Sequence, residues 1–272
     1  VGAKHVDEHT ITLDDSPVFY RSARPEGIPP VYVHGIPTSS DDWMGPLEHT
    51  GGIAPDLIGF GRSGKGGHLD YSPDGLAGFL GSLTHQIQLG AVQLVAHGWG
   101  VVAAIRFAAA NPERIRRLVL ISPPAALPGF DWTWFQRAWR QPLLGELLMG
   151  SITRWVLAWG LRRASATPSA WPDGRVRAVW DQFDQGTQRA ILRLHRSWNA
   201  EQAERLAADL ATLPVPALIL WGDRDPWCGR DLAEAYASRL PDSTLQPVPS
   251  AGHWPWLDAP EVVERISAWV TA

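Results

Sequence analysis

The most constraining stretch of this chain is Leu94-Val95-Ala96-His97-Gly98-Trp99-Gly100-Val101-Val102-Ala103-Ala104. An apolar, β-branched run from Val92 to Val95 stops at a small residue. A helical pattern then starts at Val101 and continues to Ala110, ahead of Asn111-Pro112. That order spells a strand, a tight turn and a helix. Ala96 and Gly100 flank the tip and let strand and helix approach closely around a residue held in a strained backbone conformation. Small-x-nucleophile-x-Gly at such a turn is the pattern of a nucleophile elbow. The residue at the nucleophile position is Gly98, which has no side chain with which to attack.

The rest of the chain supplies a framework for that turn. Thr10 to Leu13 and Pro17 to Ser22 read as short strands joined at Asp14-Asp15-Ser16. Val31-Tyr32-Val33 is a buried strand ending at His34-Gly35-Ile36, Asp41 to Leu47 opens a helix, and Ile53-Ala54-Pro55 is a further strand. Ser72-Pro73-Asp74 starts a helix, with Ser as cap and Pro in the first turn, and apolar spacing carries it to Leu89. The strand Leu118 to Ile121 stops at Pro123-Pro124. From Ala125 to Ala207 β signals vanish, and Pro142, Pro168 and Pro172 divide a helical stretch. Alternation resumes with a strand at Ala217 to Trp221, a helix at Asp231 to Leu240, a strand at Ser243 to Pro247 and a helix at Pro260 to Val270. Strands alternating with helices imply an α/β class with a largely parallel sheet covered on both faces. The expected division is a core of 1–124 and 208–272 with a helical cap at 125–207 over the carboxyl edge of the sheet.

Composition narrows the partners. A formal charge of −4 gives no reason to expect nucleic acid or an anionic membrane. There is no signal-peptide pattern and no apolar run of about 18 residues, and Cys228 is the single cysteine, so a reducing cytoplasmic location is expected. The chain begins at Val1, so a start methionine or a longer N-terminus is expected to have been trimmed. Fifteen tryptophans are unusual, and eight fall between Trp132 and Trp198 with ten arginines between residues 130 and 200. The interleaved arginines argue against membrane insertion, so these indoles read as core and as the wall of an apolar pocket. Trp134 and Trp139, with His34 and Trp254 from core loops, are the candidate pocket lining. A small-molecule substrate or ligand is the expected partner, and the chain is expected to act as a monomer or homodimer.

Three loops at strand ends carry the chemistry in the order elbow, acid, base. The acid is Asp225 in Gly222-Asp223-Arg224-Asp225, with Asp223 as its rival, and the base is His253 in Gly252-His253-Trp254-Pro255. A carboxylate fixes the imidazole tautomer, and the imidazole moves the proton. Backbone N–H groups of Ile36 and Trp99 would form an oxyanion hole. His97 reads as packed against the sheet, and Asp56 as an anchor of its own loop. Gly59-Phe60-Gly61-Arg62-Ser63-Gly64-Lys65 spells most of a phosphate-binding loop, but Gly66 stands where Ser or Thr would hold magnesium. Nine scattered histidines give no ligand-spaced cluster, so neither a metal nor another cofactor is expected.

These motifs together resemble the α/β-hydrolase superfamily along almost the whole chain. The resemblance rests on His34-Gly35, Asp56-x-x-Gly59-x-Gly61-x-Ser63, the elbow, Gly222-x-x-Asp225 and Gly252-His253. It implies a mostly parallel eight-stranded sheet with helices on both faces. His34-Gly35-Ile36-Pro37-Thr38-Ser39-Ser40, Asp56-Leu57-Ile58-Gly59 and Trp99 resemble haloalkane dehalogenases and epoxide hydrolases, whose elbow residue is Asp. The tail around Gly252-His253-Trp254-Pro255 is equally similar to esterases and lactonases with a Ser nucleophile. Ile36 stands where dehalogenases commonly place Asn, and Tyr20, Tyr32, Tyr71 and Tyr236 all lie outside the cap. The implied activity is hydrolysis of a small to medium, mostly apolar epoxide, haloalkane, ester or lactone. Gly98 leaves three explanations open: a native Asp or Ser has been replaced, the pocket binds ligand without turning it over, or the His253–Asp225 dyad acts alone as a lyase or oxygenase base.

Overall fold

Alternating apolar and β-branched runs become eight strands in the computed structural model, which describes residues 2–272. They are β1 (Asp7–Leu13), β2 (Ser16–Ala23), β3 (Pro30–Val33), β4 (Gly52–Pro55), β5 (Val92–His97), β6 (Ile115–Ile121), β7 (Ala217–Gly222) and β8 (Ser243–Val248). All eight form one sheet in the order β1-β2-β4-β3-β5-β6-β7-β8. β2 runs antiparallel to both of its neighbours. The remaining pairs are parallel, with His97 of β5 level with Ile121 of β6. Every residue of β3, β5 and β7 is buried, as strands covered on both faces require. The loops that follow β3, β5, β7 and β8 leave from the carboxyl edge of the sheet, where folds of this kind bind ligands.

Helices α1 (Met44–Thr50), α2 (Pro73–Gln86) and α3 (Trp99–Ala110) precede the cap. The helix expected from Asp41 begins as a 3-10 turn, Ser40–Trp43, and becomes α1 at Met44. Ser72 caps α2 by accepting a hydrogen bond from the Gly75 N–H at 3.1 Å. The helix ends three residues before Leu89 because Gln88 turns into the left-handed region at φ +57°. α3 is buried from Trp99 through Ala108, including Arg106, so it is apolar nearly all round and lies inside the molecule.

The segment expected to form a cap folds as α4 (Trp134–Arg140), α5 (Leu144–Gly150), α6 (Arg154–Ala164), α7 (Asp173–Gln182) and α8 (Gln185–Ser197). α9 (Ala200–Thr212) follows, and the expected boundary at 207 falls inside it. Arg106 of α3 donates to Asp209 at 2.6 Å and to the Gln202 side chain at 2.7 Å, so α9 packs on the core. The chain closes with α10 (Arg230–Ala237), the short α11 (Pro255–Asp258) and α12 (Glu261–Thr271). α11 was not foreseen as a helix: it is one turn long and begins at Pro255, directly after the candidate base.

Two clasps join cap to core. The first is the glycine-rich loop that imitates a phosphate site. Lys65 donates to the Gln182 carbonyl and to Asp184, each at 2.8 Å, and Thr187 donates to the Gly59 carbonyl at 3.0 Å. The second joins the end of α6 to the segment around His253. The Asp258 carboxylate accepts the N–H groups of Ala166 at 3.0 Å, Thr167 at 2.8 Å and Gly252 at 2.8 Å.

Candidate active site

Gly98 sits at the end of β5 with φ +53° and ψ −129°, a conformation that side-chain-bearing residues adopt only under strain. A Cβ built there lies 3.6 Å from His253 Nε2 and 3.5 Å from the Gly35 Cα, with nothing nearer. A side chain added there would thus project at the imidazole without a clash. By contrast, a Cβ on Gly100 would fall 2.4 Å from the His34 carbonyl oxygen, so the helix can begin here only on a residue without one.

His253 and Asp225 come from different strand ends and meet. The His253 Nδ1 donates to Asp225 Oδ2 at 2.8 Å, which leaves the Nε2 lone pair facing Gly98. Asp225 Oδ1 accepts the N–H groups of Trp227 at 2.8 Å and Cys228 at 3.1 Å, fixing the carboxylate plane. Both residues are buried. The rival acid, Asp223, instead accepts the Ser250 N–H at 2.8 Å and ties the two loops together. Asp56 anchors its own loop, accepting the Ser40 and Arg62 N–H groups at 2.7 Å each.

His97 holds the candidate base, His253, from behind. Its Nε2 donates to the His253 carbonyl oxygen at 2.8 Å, and the two rings lie 4.6 Å apart. Burial holds its pKa well below the ordinary histidine value, so this imidazole is neutral. The His253 N–H also donates to the Ala164 carbonyl of the cap at 2.8 Å. His253 is therefore positioned both from β5, through His97, and from α6, through Ala164.

The backbone donors expected at Ile36 and Trp99 leave from the ends of β3 and β5. Trp99 is the first residue of α3, and an N–H at that position has no acceptor within its own helix. Ile36 follows Gly35, whose Cα forms one wall of the space in front of Gly98.

The four residues expected to line a pocket divide sharply. His34 is fully buried with both nitrogens engaged: Nδ1 donates to the Gly35 carbonyl at 2.7 Å, and Nε2 accepts the Leu57 N–H at 2.9 Å. It braces the loop and has no free nitrogen for a ligand. Trp254 is also fully buried, packed 4.9 Å from Trp171 of the cap and 4.9 Å from the His253 ring. Trp139 is half-buried, with its ring 5.1 Å from that of His195. Trp134 is 72% exposed, and a side chain so open to water does not wall a closed pocket.

Three residues at this edge were not singled out beforehand. His195 of α8 lies within 5.1–5.4 Å of the rings of Trp99, Trp132 and Trp139. Its Nδ1 donates to the Ile191 carbonyl at 2.8 Å, while its buried Nε2 has no hydrogen-bond partner. Burial lowers its pKa to about 4. Ser122 follows β6 immediately, buried, at φ +44° and with an unpartnered hydroxyl. Gly98 donates its N–H to the neighbouring Ile121 carbonyl at 3.1 Å, so Ser122 stands beside the elbow. Asp42 is buried with Oδ2 unpartnered, and desolvation pushes its pKa up to about 7. No local pattern announces any of them, since each is defined by what tertiary contacts surround or withhold from it. Among the described residues no three His, Cys, Asp or Glu side chains stand together as a metal site.

A sheet of this order, an elbow, and an acid and base delivered by later strands define the α/β-hydrolase class. The chain belongs to the alpha/beta hydrolase family, whose model matches residues 31–266. It is 30% identical over 282 residues to a haloalkane dehalogenase of Mycolicibacterium paratuberculosis (strain ATCC BAA-968 / K-10), covering 96% of this chain and 87% of that protein. It is 25% identical to epoxide hydrolase 1 of Caenorhabditis elegans over 86% of this chain and 62% of that one. The crystal structure of wild-type Cfl2 from Burkholderia cenocepacia has the same fold, with a TM-score of 0.86 at 24% identity, covering 97% of this chain and 96% of that one.

Proposed function

We propose that this site is built for hydrolysis of a small to medium, mostly apolar substrate through a nucleophile at position 98, and that Gly98 removes the covalent step. The observation that carries this reading is the open space between Gly98 and His253 Nε2, where an added Cβ stands 3.6 Å from the base. Asp225 and His253 serve as acid and base, and the N–H groups of Ile36 and Trp99 as oxyanion donors. Kinship with haloalkane dehalogenases and epoxide hydrolases favours aspartate as the missing residue. Its carboxylate would attack a carbon of the substrate to leave an ester, expelling halide or opening an epoxide C–O bond whose oxygen takes its proton from solvent water. His253 would then take a proton from water, and the hydroxide would add to the ester carbonyl and release the alcohol.

The test is a comparison of this chain with Gly98→Asp and Gly98→Ser against haloalkanes, epoxides, esters and lactones. Loss of a nucleophile from a triad costs on the order of 10⁶ in kcat, so the chain itself is expected to be nearly silent. Gly98→Asp is expected to turn over a haloalkane or an epoxide, and His253→Ala in that background to stop at the ester, visible as a mass increment. Rescue by Ser alone moves the protein to ester or lactone hydrolysis. Turnover by the unaltered chain that His253→Ala abolishes assigns the chemistry to the dyad alone. Silence from all three on every substrate overturns the hydrolytic reading.

A further inference from the structure

The cap turns an apolar face outward. Among the described residues eight large hydrophobic side chains are exposed, and seven of them lie between residues 134 and 159. Leu143 is 78% exposed, Trp155 73%, Trp134 and Leu147 72% each, and Trp159 68%. Leu144 and Leu147 are three residues apart on α5, and Trp155 and Trp159 four apart on α6, so each pair forms a stripe on one helix face, with Leu143 directly ahead of α5. On α6 the buried side is separate, carried by Leu157, Ala158, Leu161 and Ala164. The outer indoles are therefore not core side chains displaced to the surface. Monomeric proteins rarely leave more than a few hundred Å² of contiguous apolar surface in water.

The charge around these side chains selects the occupant. Residues 131–163 contain five arginines against Asp131 and Glu146, a net of +3, whereas the whole chain carries −4. Glu146 is held by Arg196 through two bonds of 2.7 and 2.8 Å, so it offers little negative charge outward. Arg163 is exposed, and the Arg154 guanidinium lies 5.2 Å from the Trp155 ring centre. An open groove of about 490 Å³ has Trp155, Ala158 and Trp159 in its walls and Arg163 among its lining, beside Arg162, whose charge is paired with Asp173 at 2.7 Å. A symmetric contact with a second copy would bring arginines against arginines. Indoles and leucines beside guanidinium groups match the boundary between phosphate headgroups and acyl chains.

We infer that the outer face of α5 and α6 docks on an anionic lipid surface. The contact is interfacial, since no helix among the described residues is long and apolar enough to cross a membrane. It is independent of the hydrolytic reading, because none of its residues belongs to the dyad or the elbow.

The experiment mixes the full chain with phosphatidylcholine vesicles, with or without phosphatidylserine, and measures co-sedimentation and tryptophan fluorescence. Binding is expected to the phosphatidylserine vesicles, at least about tenfold tighter than to phosphatidylcholine alone, with a blue-shifted emission. Leu147→Glu/Trp155→Glu/Trp159→Glu is expected to abolish it, and Arg154→Gln/Arg163→Gln to remove the preference for phosphatidylserine. All five side chains lie on the cap surface, and circular dichroism checks that the variants fold. Absence of binding to either vesicle, or equal binding to both, overturns the proposal. So does a homodimer in sedimentation equilibrium that the triple variant dissociates while lipid binding is absent.

Discussion

The elbow helix α3 and the cap helix α6 are both rich in apolar residues, yet they use them in opposite ways. α3 is buried almost all round, and its apolar character is answered by the sheet on one side and by α2 and α9 on the other. α6 buries one side and leaves Trp155 and Trp159 in water. Apolar content alone therefore does not distinguish a core element from a surface one. What distinguishes them is whether a second layer stands opposite each face. α3 has that layer on every side, while α6 has it where α7 packs against it and lacks it on the face of Trp155 and Trp159.

The sharpest way to break this contrast is to cut the clasp that makes cap and core one body. Asp258 accepts three backbone N–H groups from two segments, and Asp258→Ala would leave all of them unpaired. The expected loss is roughly 2–4 kcal/mol, from about 1–3 kcal/mol for each of the part-buried Ala166 and Gly252 groups left without a partner, the exposed Thr167 group being recovered by water. Denaturant unfolding measures it, and an unchanged midpoint would show that the cap is held by packing alone.

A second test uses acid. His195 is buried between cap and elbow with a pKa lowered to about 4. The unfolded chain takes up this proton near the ordinary value of about 6.5, so the unfolded state binds more protons between the two values. Stability from this group is complete above about 6.5 and is lost as the pH falls toward 4. His195→Phe should flatten that acid limb by up to about 3 kcal/mol, read from melting temperatures between pH 7 and 4. An acid limb equally steep in the variant would assign the loss to other groups, and Asp42, whose pKa is raised to about 7, acts in the opposite direction over this range.

The smallest effect concerns the elbow itself. Gly98 has φ +53°, so Gly98→Asp should lower stability by ~1–3 kcal/mol even where it restores turnover. Thermal unfolding checks the sign, and an unchanged or raised melting temperature would mean that the turn is not strained.

Much of the core was legible from local patterns. Apolar runs and the Ser72-Pro73 helix start rest on short-range rules, and the strands and helices of the eight-stranded sheet follow them in order. His253 and Asp225 are 28 residues apart, yet their loops meet because their strands are neighbours. The cap was less legible. Its eight tryptophans read as core and pocket wall, but Trp134, Trp155 and Trp159 face outward. Residues 200–207, expected in the cap, open α9, where the Gln202 side chain accepts a hydrogen bond from Arg106 of α3.

The sequence by itself determined the alternation of strands and helices, the glycine at the elbow tip and the residues able to carry protons. These follow from backbone propensity and side-chain chemistry, which act over a few residues. Only the tertiary structure decided that His34 is locked between Gly35 and Leu57, that Ser122 is strained beside the elbow, and that the glycine-rich loop receives the cap instead of a phosphate. It also decided which cap indoles meet a neighbour and which meet water. The physical reason is that burial and hydrogen-bond satisfaction depend on what a second segment brings, often more than a hundred residues away in the chain, as Lys65 and Gln182 show.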